Sequence, residues 1–198
     1  MFIFSLTANC IDEDFNASLV VLRVKPFKES HTAANICDVV QDVLDDYKIP
    51  SYKVHMIVHD NAANMVKGIA DTGFKGLSCF LHTLQLVIHD AILEQRIIKD
   101  ILANCRQITG HFNHSSLAYS KLEELQKQHS LRQHKLIQDV STRWNSTYLM
   151  LERIAEQKLA IATYCAQVPN LPVFDANKWT LIGKCSSLLK IFHVTTER

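Results

Sequence analysis

Two apolar runs at the start of the chain predict a β-hairpin. Residues 2–8 and 17–25 are rich in side chains that favour strands, and the polar segment Asp12–Asn16 separates them. Apolar runs of this length around a short polar segment are typical of two antiparallel strands joined by a turn.

A helical stripe follows the hairpin. Apolar residues recur at helical spacing between Thr32 and Tyr47, and either Ser30 or Thr32 could cap this helix. Pro50 ends the element. The compact apolar run Val54–Val58 is typical of a buried strand.

The rest of the chain is predicted to be mainly helical. Most of its apolar residues recur every three or four positions, whereas the short run 136–140 favours a strand. The predicted helices are 62–69, which stops near Gly73 and Gly76, and then 77–102, 117–128, 144–164 and 178–192, with a loop at Pro169 and Pro172. This order predicts an α/β domain that runs into an all-helical region.

The composition is that of an ordered globular protein. The chain has 198 residues, of which 47% are hydrophobic and 21% charged, with a formal net charge of +1. This balance excludes a general basic coat for nucleic acid, so any DNA contact must come from local patches.

The six cysteines include no Cys-x-x-Cys pair, which favours reduced thiols in the cytosol or nucleus. No apolar run approaches the ~18 residues that span a bilayer, so no membrane contact is expected.

Asp60 is the first residue that could carry chemistry. It follows the predicted strand Val54–Val58 and precedes a helix, which is where open α/β sheets place their ligands. The alternative is that Asp60 caps the helix from residue 62 onward, because aspartate is a favoured N-cap residue.

Cys79 and His82 form a Cys-x-x-His pair. Both side chains are zinc ligands, and Cys105, His111 and His114 could supply a second pair of ligands. The alternative is that a cysteine at the start of an apolar helix acts as a small hydrophobic residue.

Arg143 and Trp144 follow the predicted strand at 136–140. A guanidinium can bind a phosphate and an indole can stack on a base, so this pair could contact DNA. The alternative is that Trp144 packs in the core. No glycine-rich phosphate loop, His-Glu-x-x-His motif or nucleophile elbow is present.

Four motifs in this order resemble the hAT superfamily of transposases, and especially the animal BED-type zinc finger domain-containing proteins derived from them. The resemblance covers nearly the whole chain and is weakest after about Val168. The motifs are His31-Thr-Ala-Ala-Asn-Ile36, His59-Asp-Asn-Ala-Ala-Asn-Met65, Cys79-Phe-Leu-His-Thr-Leu-Gln-Leu86 and Thr142-Arg-Trp-Asn-Ser-Thr147.

The resemblance implies an RNase H-like fold in which three acidic residues hold two divalent metal ions, Mg²⁺ in the intact family, for phosphodiester cleavage. Asp60 matches the second of these metal-binding acids. Cys79 and His82 match an element associated with transposon-end DNA. Trp144, preceded by Arg143, matches the tryptophan that stacks on a flipped base.

The departures from the family pattern matter equally. The chain starts at the hairpin, so we expect the family's first strand and first acid to be missing from it. We likewise expect the third acid, the BED finger and the dimerisation segment to be absent from this chain. We therefore expect a partial RNase H-like domain at 1–142, with a mixed sheet and flanking helices, and the start of a helical insertion at 143–198. One acid of three cannot hold two hydrated Mg²⁺ ions, so no bound cofactor and no catalysis are expected of this chain alone.

Three functions remain open at this point. The leading hypothesis is a transposase-derived nuclear protein whose ancestral partner is DNA and whose active site is incomplete. The second is a domesticated transcription regulator that serves as an interaction scaffold for nuclear proteins. The third is an active transposase whose ends were lost in gene prediction.

Overall fold

The computed structural model describes residues 2–27 and 30–196 of the chain. The described residues form two compact units, divided between Thr83 and Leu84. The division predicted from the family resemblance, into 1–142 and 143–198, stays a prediction.

The first unit begins with the predicted hairpin. Strands β1 (Phe2–Ile11) and β2 (Ala17–Phe27) pair in antiparallel register, with a bulge between Leu6 and Thr7. The turn is held by Asp12, whose Oδ1 accepts hydrogen bonds from the backbone N–H groups of Asp14 at 3.0 Å and Asn16 at 2.8 Å. The hairpin is confirmed, and its strands are longer than predicted.

Helices and short strands complete this unit. Thr32 is the N-cap of the first helix, and its Oγ1 accepts a hydrogen bond from the backbone N–H of Asn35 at 3.3 Å, as predicted. The elements are α1 (Ala33–Asp46), a 3₁₀ turn (Ser51–Lys53), β3 (Ile57–His59), α2 (Ala63–Asp71) and β4 (Gly76–Ser78).

Helices α1 and α2 pack closely because Gly68 has no side chain. A Cβ atom at this position would lie 2.9 Å from the carbonyl oxygen of Ala33 and 2.9 Å from Cβ of Ile36. Such distances are too short for any real Cβ. The glycine therefore sets how near α2 can come to the buried face of α1.

The sheet differs from the prediction. Within the described residues, β1 and β2 form one two-stranded antiparallel sheet, and β3 and β4 form a separate two-stranded parallel sheet, rather than one mixed sheet. Strand β4 was not predicted, because Gly76-Leu77-Ser78 carries no alternating pattern and lies in the segment interpreted as the start of a long helix. The α/β class itself is confirmed.

The regular elements described in the second unit are all helices. Its core contains Phe112, Leu122, Ile154 and Leu189, all of which are almost fully buried. Helix α3 (Phe80–Ile88) runs from the first unit into this one, and a single π-helical turn follows at His89–Leu93. The remaining elements are α4 (Arg96–His114), α5 (Ser116–Gln128), α6 (Trp144–Glu156), α7 (Lys158–Cys165) and α8 (Ala176–Thr196).

Two predicted helices are interrupted. The predicted helix 77–102 is broken by the π turn between α3 and α4, and the predicted helix 144–164 is broken at Gln157 between α6 and α7. The side chain of Gln157 is fully buried. Its Nε2 donates to the carbonyl oxygen of Arg132 at 2.9 Å, so the helix break places an amide against a neighbouring segment.

That neighbouring segment, residues 130–143, is neither helix nor strand, so the predicted strand at 136–140 is wrong. Helical side chains bind its backbone in place of a partner strand. Besides the bond from Gln157, Nε2 of Gln126 donates to the carbonyl oxygen of His134 at 2.9 Å and Nη1 of Arg153 donates to that of Lys135 at 2.5 Å. Among the described residues, no helix has the length and apolarity needed to cross a membrane.

Candidate nucleic-acid interface

The ends of β3 and β4 place two of the sequence motifs side by side. The parallel register pairs His59 with Ser78, and the backbone N–H of Cys79 donates to the carbonyl oxygen of His59 at 2.7 Å. Asp60 and Cys79 are therefore the residues that leave the two strands at the same edge. We call this edge the β3–β4 edge.

Asp60 is exposed at this edge. Its Oδ1 accepts a hydrogen bond from the backbone N–H of Ala62 at 3.1 Å, which closes a tight turn before α2. The N-cap residue of α2 is Ala62, without a side-chain cap, so Asp60 supports the turn and is not the N-cap that the alternative reading predicted. The second carboxylate oxygen of Asp60 makes no hydrogen bond to another described residue.

Cys79 and His82 lie half-buried at the start of α3. The carbonyl oxygen of Cys79 accepts two hydrogen bonds from Thr83, one from its backbone N–H at 2.9 Å and one from its hydroxyl at 3.1 Å. The first turn of α3 is thereby closed, with Cys79 immediately before the helix and His82 within its first turn.

Of the other candidate zinc ligands, Cys105 and His111 pack in the second unit, whereas His114 is exposed. Cys105 is fully buried, and burial raises the pKa of its thiol to about 12, so it stays protonated. Because zinc binds the thiolate, this state disfavours metal ligation. His111 contacts the hydroxyl of Tyr164 at 3.0 Å. Over residues 2–27 and 30–196, no three His, Cys, Asp or Glu side chains are grouped so that they could hold a metal ion.

Asn61 was not singled out from the sequence as a site residue, yet it joins the two motifs. Its Nδ2 donates to the hydroxyl oxygen of Thr83 at 3.0 Å. The Asp60 turn and the first turn of α3 are therefore linked by a side-chain bond as well as by the backbone bond from Cys79. A contact between residues 22 positions apart has no periodic signal in the sequence.

His59 stabilises the backbone at the β3–β4 edge. Its Nδ1 lies 2.6 Å from the carbonyl oxygen of Asp60, and since a carbonyl can only accept, Nδ1 carries the proton. The opposite nitrogen, Nε2, lies 2.8 Å from where a Cβ of Gly76 would be. Gly76 therefore makes room for the imidazole that fixes the backbone at Asp60.

Arg143 and Trp144 lie in the second unit. Trp144 begins α6 and is only 4% exposed; its ring packs edge-on against Phe192, with 6.2 Å between ring centroids. Its backbone N–H donates to Oε1 of Gln85 at 3.1 Å. Trp144 is thus a core residue here, as the alternative predicted. Arg143 is exposed, and its guanidinium makes no hydrogen bond or ion pair with another described residue.

The segment before Arg143 is fixed by a buried ion pair. Asp139, whose side chain is 1% exposed, accepts hydrogen bonds from Nε of Arg106 at 3.0 Å and from Nη2 at 2.7 Å. Thr147 donates a further hydrogen bond at 3.1 Å. Burial alone would raise the pKa of the Asp139 carboxyl, but the bonds and charge of Arg106 outweigh it and lower that pKa below its ordinary value.

Comparison with known proteins gives matches over almost the entire chain. A family model described as the ZBED1 RNase-like domain matches residues 1–72, and another described as the ZBED1 RNase-like helical domain matches residues 77–186. These two matches define the class of protein, an RNase-like α/β domain followed by a helical domain, and they support an RNase H-like fold.

Individual relatives agree with this class. Human zinc finger BED domain-containing protein 6 is 31% identical over 90% of the chain and 18% of its own length. A putative AC transposase of Zea mays is 31% identical over 78% of the chain and 19% of its own length. A putative transcriptional regulator, tpeD, of Talaromyces stipitatus is 24% identical over 97% of the chain and 27% of its own length.

The chain belongs to the family of BED-type zinc finger proteins derived from hAT transposases. It spans less than a third of the length of each of these three relatives.

Proposed function

We propose that this chain is part of a transposase-derived nuclear protein and contacts DNA through the β3–β4 edge. The observation that supports the proposal is the parallel register of His59 with Ser78, the residues that immediately precede Asp60 and Cys79; His82 follows three residues after Cys79. Asp60, Cys79 and His82 are the motif residues that the hAT resemblance associates with the metal site and with transposon-end DNA. The relatives with transposase and transcriptional regulator in their names support a DNA-related, nuclear role.

The exposed guanidinium of Arg143 is proposed as a second DNA contact. It has no carboxylate partner among the described residues, so its charge is available for a phosphate. Stacking of Trp144 on a base, which the resemblance implies, stays a prediction. It would require the indole to leave its position against Phe192 and the core.

We further propose that this chain does not cleave DNA by itself. Asp60 supplies one carboxylate, whereas the other side chains that meet at this edge, Asn61, Cys79, His82 and Thr83, supply an amide, a thiol, an imidazole and a hydroxyl. Two Mg²⁺ ions need several oxygen ligands each, mostly carboxylates and waters. The described residues at this edge do not fit a pair of metal ions.

DNA binding is tested by fluorescence anisotropy with a labelled duplex over a range of salt concentrations. We expect affinity that falls with salt and is weakened by His82→Ala and Arg143→Ala, with Arg132→Ala as an exposed basic control. Absence of salt-dependent binding contradicts the proposal. Cleavage is tested with supercoiled plasmid in Mg²⁺ or Mn²⁺, and nicking that disappears in Asp60→Ala would overturn the proposed inactivity.

A second candidate is an interaction scaffold in transcription. The net charge of +1 favours this reading, because a chain with balanced charge gains little from general attraction to DNA. If the chain fails to bind DNA at low salt yet co-purifies from nuclear extract with a defined protein, and Arg143→Ala leaves that complex intact, the scaffold function replaces the first proposal.

A further inference from the structure

We infer that Asn61 is a positioning residue of the β3–β4 edge, and that it acts by holding the Asp60 turn and the Cys79–His82 helical turn at a fixed separation through Thr83. This inference rests on the proposed DNA-binding function. It assigns a role to a residue that is neither a candidate ligand of metal nor a charged group for phosphate.

The direction of each hydrogen bond is set by chemistry. The carbonyl oxygen of Cys79 can only accept, so the Thr83 hydroxyl, 3.1 Å away, gives its single proton to it. The Thr83 oxygen must then accept the bond from Asn61, which lies 3.0 Å away, and this orients the amide with Nδ2 toward Thr83. The chain of bonds therefore runs from Asn61 to Thr83 to Cys79.

A backbone bond closes the chain into a ring. The N–H of Cys79 donates to the carbonyl oxygen of His59 at 2.7 Å, and His59 is two residues before Asn61. Asp60 lies between those two residues and is held by its own bond to the N–H of Ala62 at 3.1 Å. A closed ring resists changes in the spacing of Asp60 and Cys79 more than the single backbone bond could.

The side-chain carbonyl oxygen of Asn61 indicates a role beyond stability. Its Oδ1 is buried and has no hydrogen-bond partner among the described residues. Leaving a buried acceptor unpaired is unfavourable. A smaller side chain would avoid this loss, so the asparagine is best explained by what its Nδ2 holds in place.

Asn64, in the first turn of α2, offers a matched control. Its Nδ2 also donates one side-chain hydrogen bond, to the carbonyl oxygen of His31 at 2.7 Å, but this bond does not reach α3. Asn61→Ala and Asn64→Ala therefore each remove one amide from the same region. Only the first removes the side-chain link between the Asp60 turn and the first turn of α3.

The experiment measures DNA affinity of the whole chain together with its melting temperature. At temperatures where both variants are folded, we expect Asn61→Ala to weaken DNA binding by about 3- to 10-fold, the effect of one hydrogen bond. Thr83→Val removes two hydrogen bonds and should weaken binding at least as much. Thr83→Ser keeps the hydroxyl and should restore affinity. The double variant Asn61→Ala/Thr83→Val should be no weaker than Thr83→Val alone, because that substitution already removes the bond from Asn61 together with the bond to the Cys79 carbonyl.

The outcomes separate this inference from the function on which it rests. If the unmodified chain does not bind DNA, the proposed function fails. If the chain binds DNA but Asn61→Ala binds as tightly as it does, or loses no more affinity than Asn64→Ala, the positioning role is overturned while DNA binding stands. A melting temperature lowered in both asparagine variants with affinity lowered only in Asn61→Ala supports the inference.

Discussion

Arg106 and Asp139 form a two-point ion pair, in which two guanidinium nitrogens bind one carboxylate whose side chain is 1% exposed. The pair joins α4 to the segment that has neither helix nor strand. Because Thr147 of α6 donates to the same carboxylate, one acid connects three parts of the second unit.

Asp139→Asn is therefore expected to destabilise the chain by about 2–4 kcal/mol at pH 7, because Arg106 loses its buried partner. Urea denaturation of the variant measures this loss. Asp100 is an exposed acid on α4, the helix that carries Arg106. Asp100→Asn is therefore the control and should change stability by less than about 0.5 kcal/mol. Equal effects from the two substitutions would contradict the importance of the ion pair.

The same pair makes stability depend on pH in a defined direction. The folded-state pKa of Asp139 lies below the ordinary value of 3.8, so folding favours the ionised carboxylate. Its contribution is complete above pH ~5, falls as pH passes below the unfolded-state pKa, and is lost below the folded-state pKa. Denaturation midpoints measured from pH 7 to pH 3 should fall more steeply for the unmodified chain than for Asp139→Asn. Parallel curves would refute this assignment.

Gly68→Ala is expected to push α1 and α2 apart. The new Cβ would lie 2.9 Å from backbone and side-chain atoms of α1, and relieving such overlap costs about 1–3 kcal/mol. Gly183 in α8 has no atom within 4 Å of an added Cβ, and Gly183→Ala should stabilise the helix by about 0.5–1 kcal/mol. Opposite signs in thermal unfolding confirm the close contact, and two stabilising changes would refute it.

Gly76→Ala tests the support that His59 gives to the β3–β4 edge. The added methyl would stand 2.8 Å from Nε2 of His59, so the ring must move and its bond to the Asp60 carbonyl is lost. We expect weaker DNA binding by anisotropy, in the range of about 3- to 10-fold for one hydrogen bond. In a His59→Ala background the substitution should have no further effect, and an additional loss there would show that the methyl acts elsewhere.

Substitution of Trp144 should change stability, whereas substitution of Arg143 should change DNA affinity. Trp144→Ala removes a buried indole and should destabilise the chain by about 3–5 kcal/mol. Arg143→Ala should leave stability unchanged within about 0.5 kcal/mol, weaken DNA binding uniformly across sequences and reduce the salt slope by about one. A stable Trp144→Ala variant would contradict the packing described for this residue.

The sequence predicted the elements whose signals are local. The hairpin, the Thr32 cap and the stripe of α1 follow from side-chain periodicity and capping chemistry. By contrast, β4 is three residues long and begins with glycine, so only its partner β3 makes it a strand. The segment 136–140 shows the reverse error, because Leu136 is buried in the helical core while no strand of the described residues pairs with the segment.

Sequence motifs identified individual residues of the site but not the tertiary contacts that these residues make. Asp60 and Cys79 came from motifs, and the parallel register explains why they share an edge. The burial of Trp144 depends on Phe192 in α8, which lies 48 positions away. The role inferred for Asn61 depends on Thr83. Such contacts arise from tertiary packing, which periodicity and motif spacing do not encode.

The amides of Gln126 and Gln157 have a consequence for how the second unit opens. Peptide groups in a sheet are protected by neighbouring strands that unfold together with them, whereas the carbonyl oxygens of Arg132 and His134 are each held by a single side-chain amide. Hydrogen–deuterium exchange should therefore occur earlier here than in α5 or α6. Limited proteolysis of the folded chain should therefore cleave the second unit first between α5 and α6.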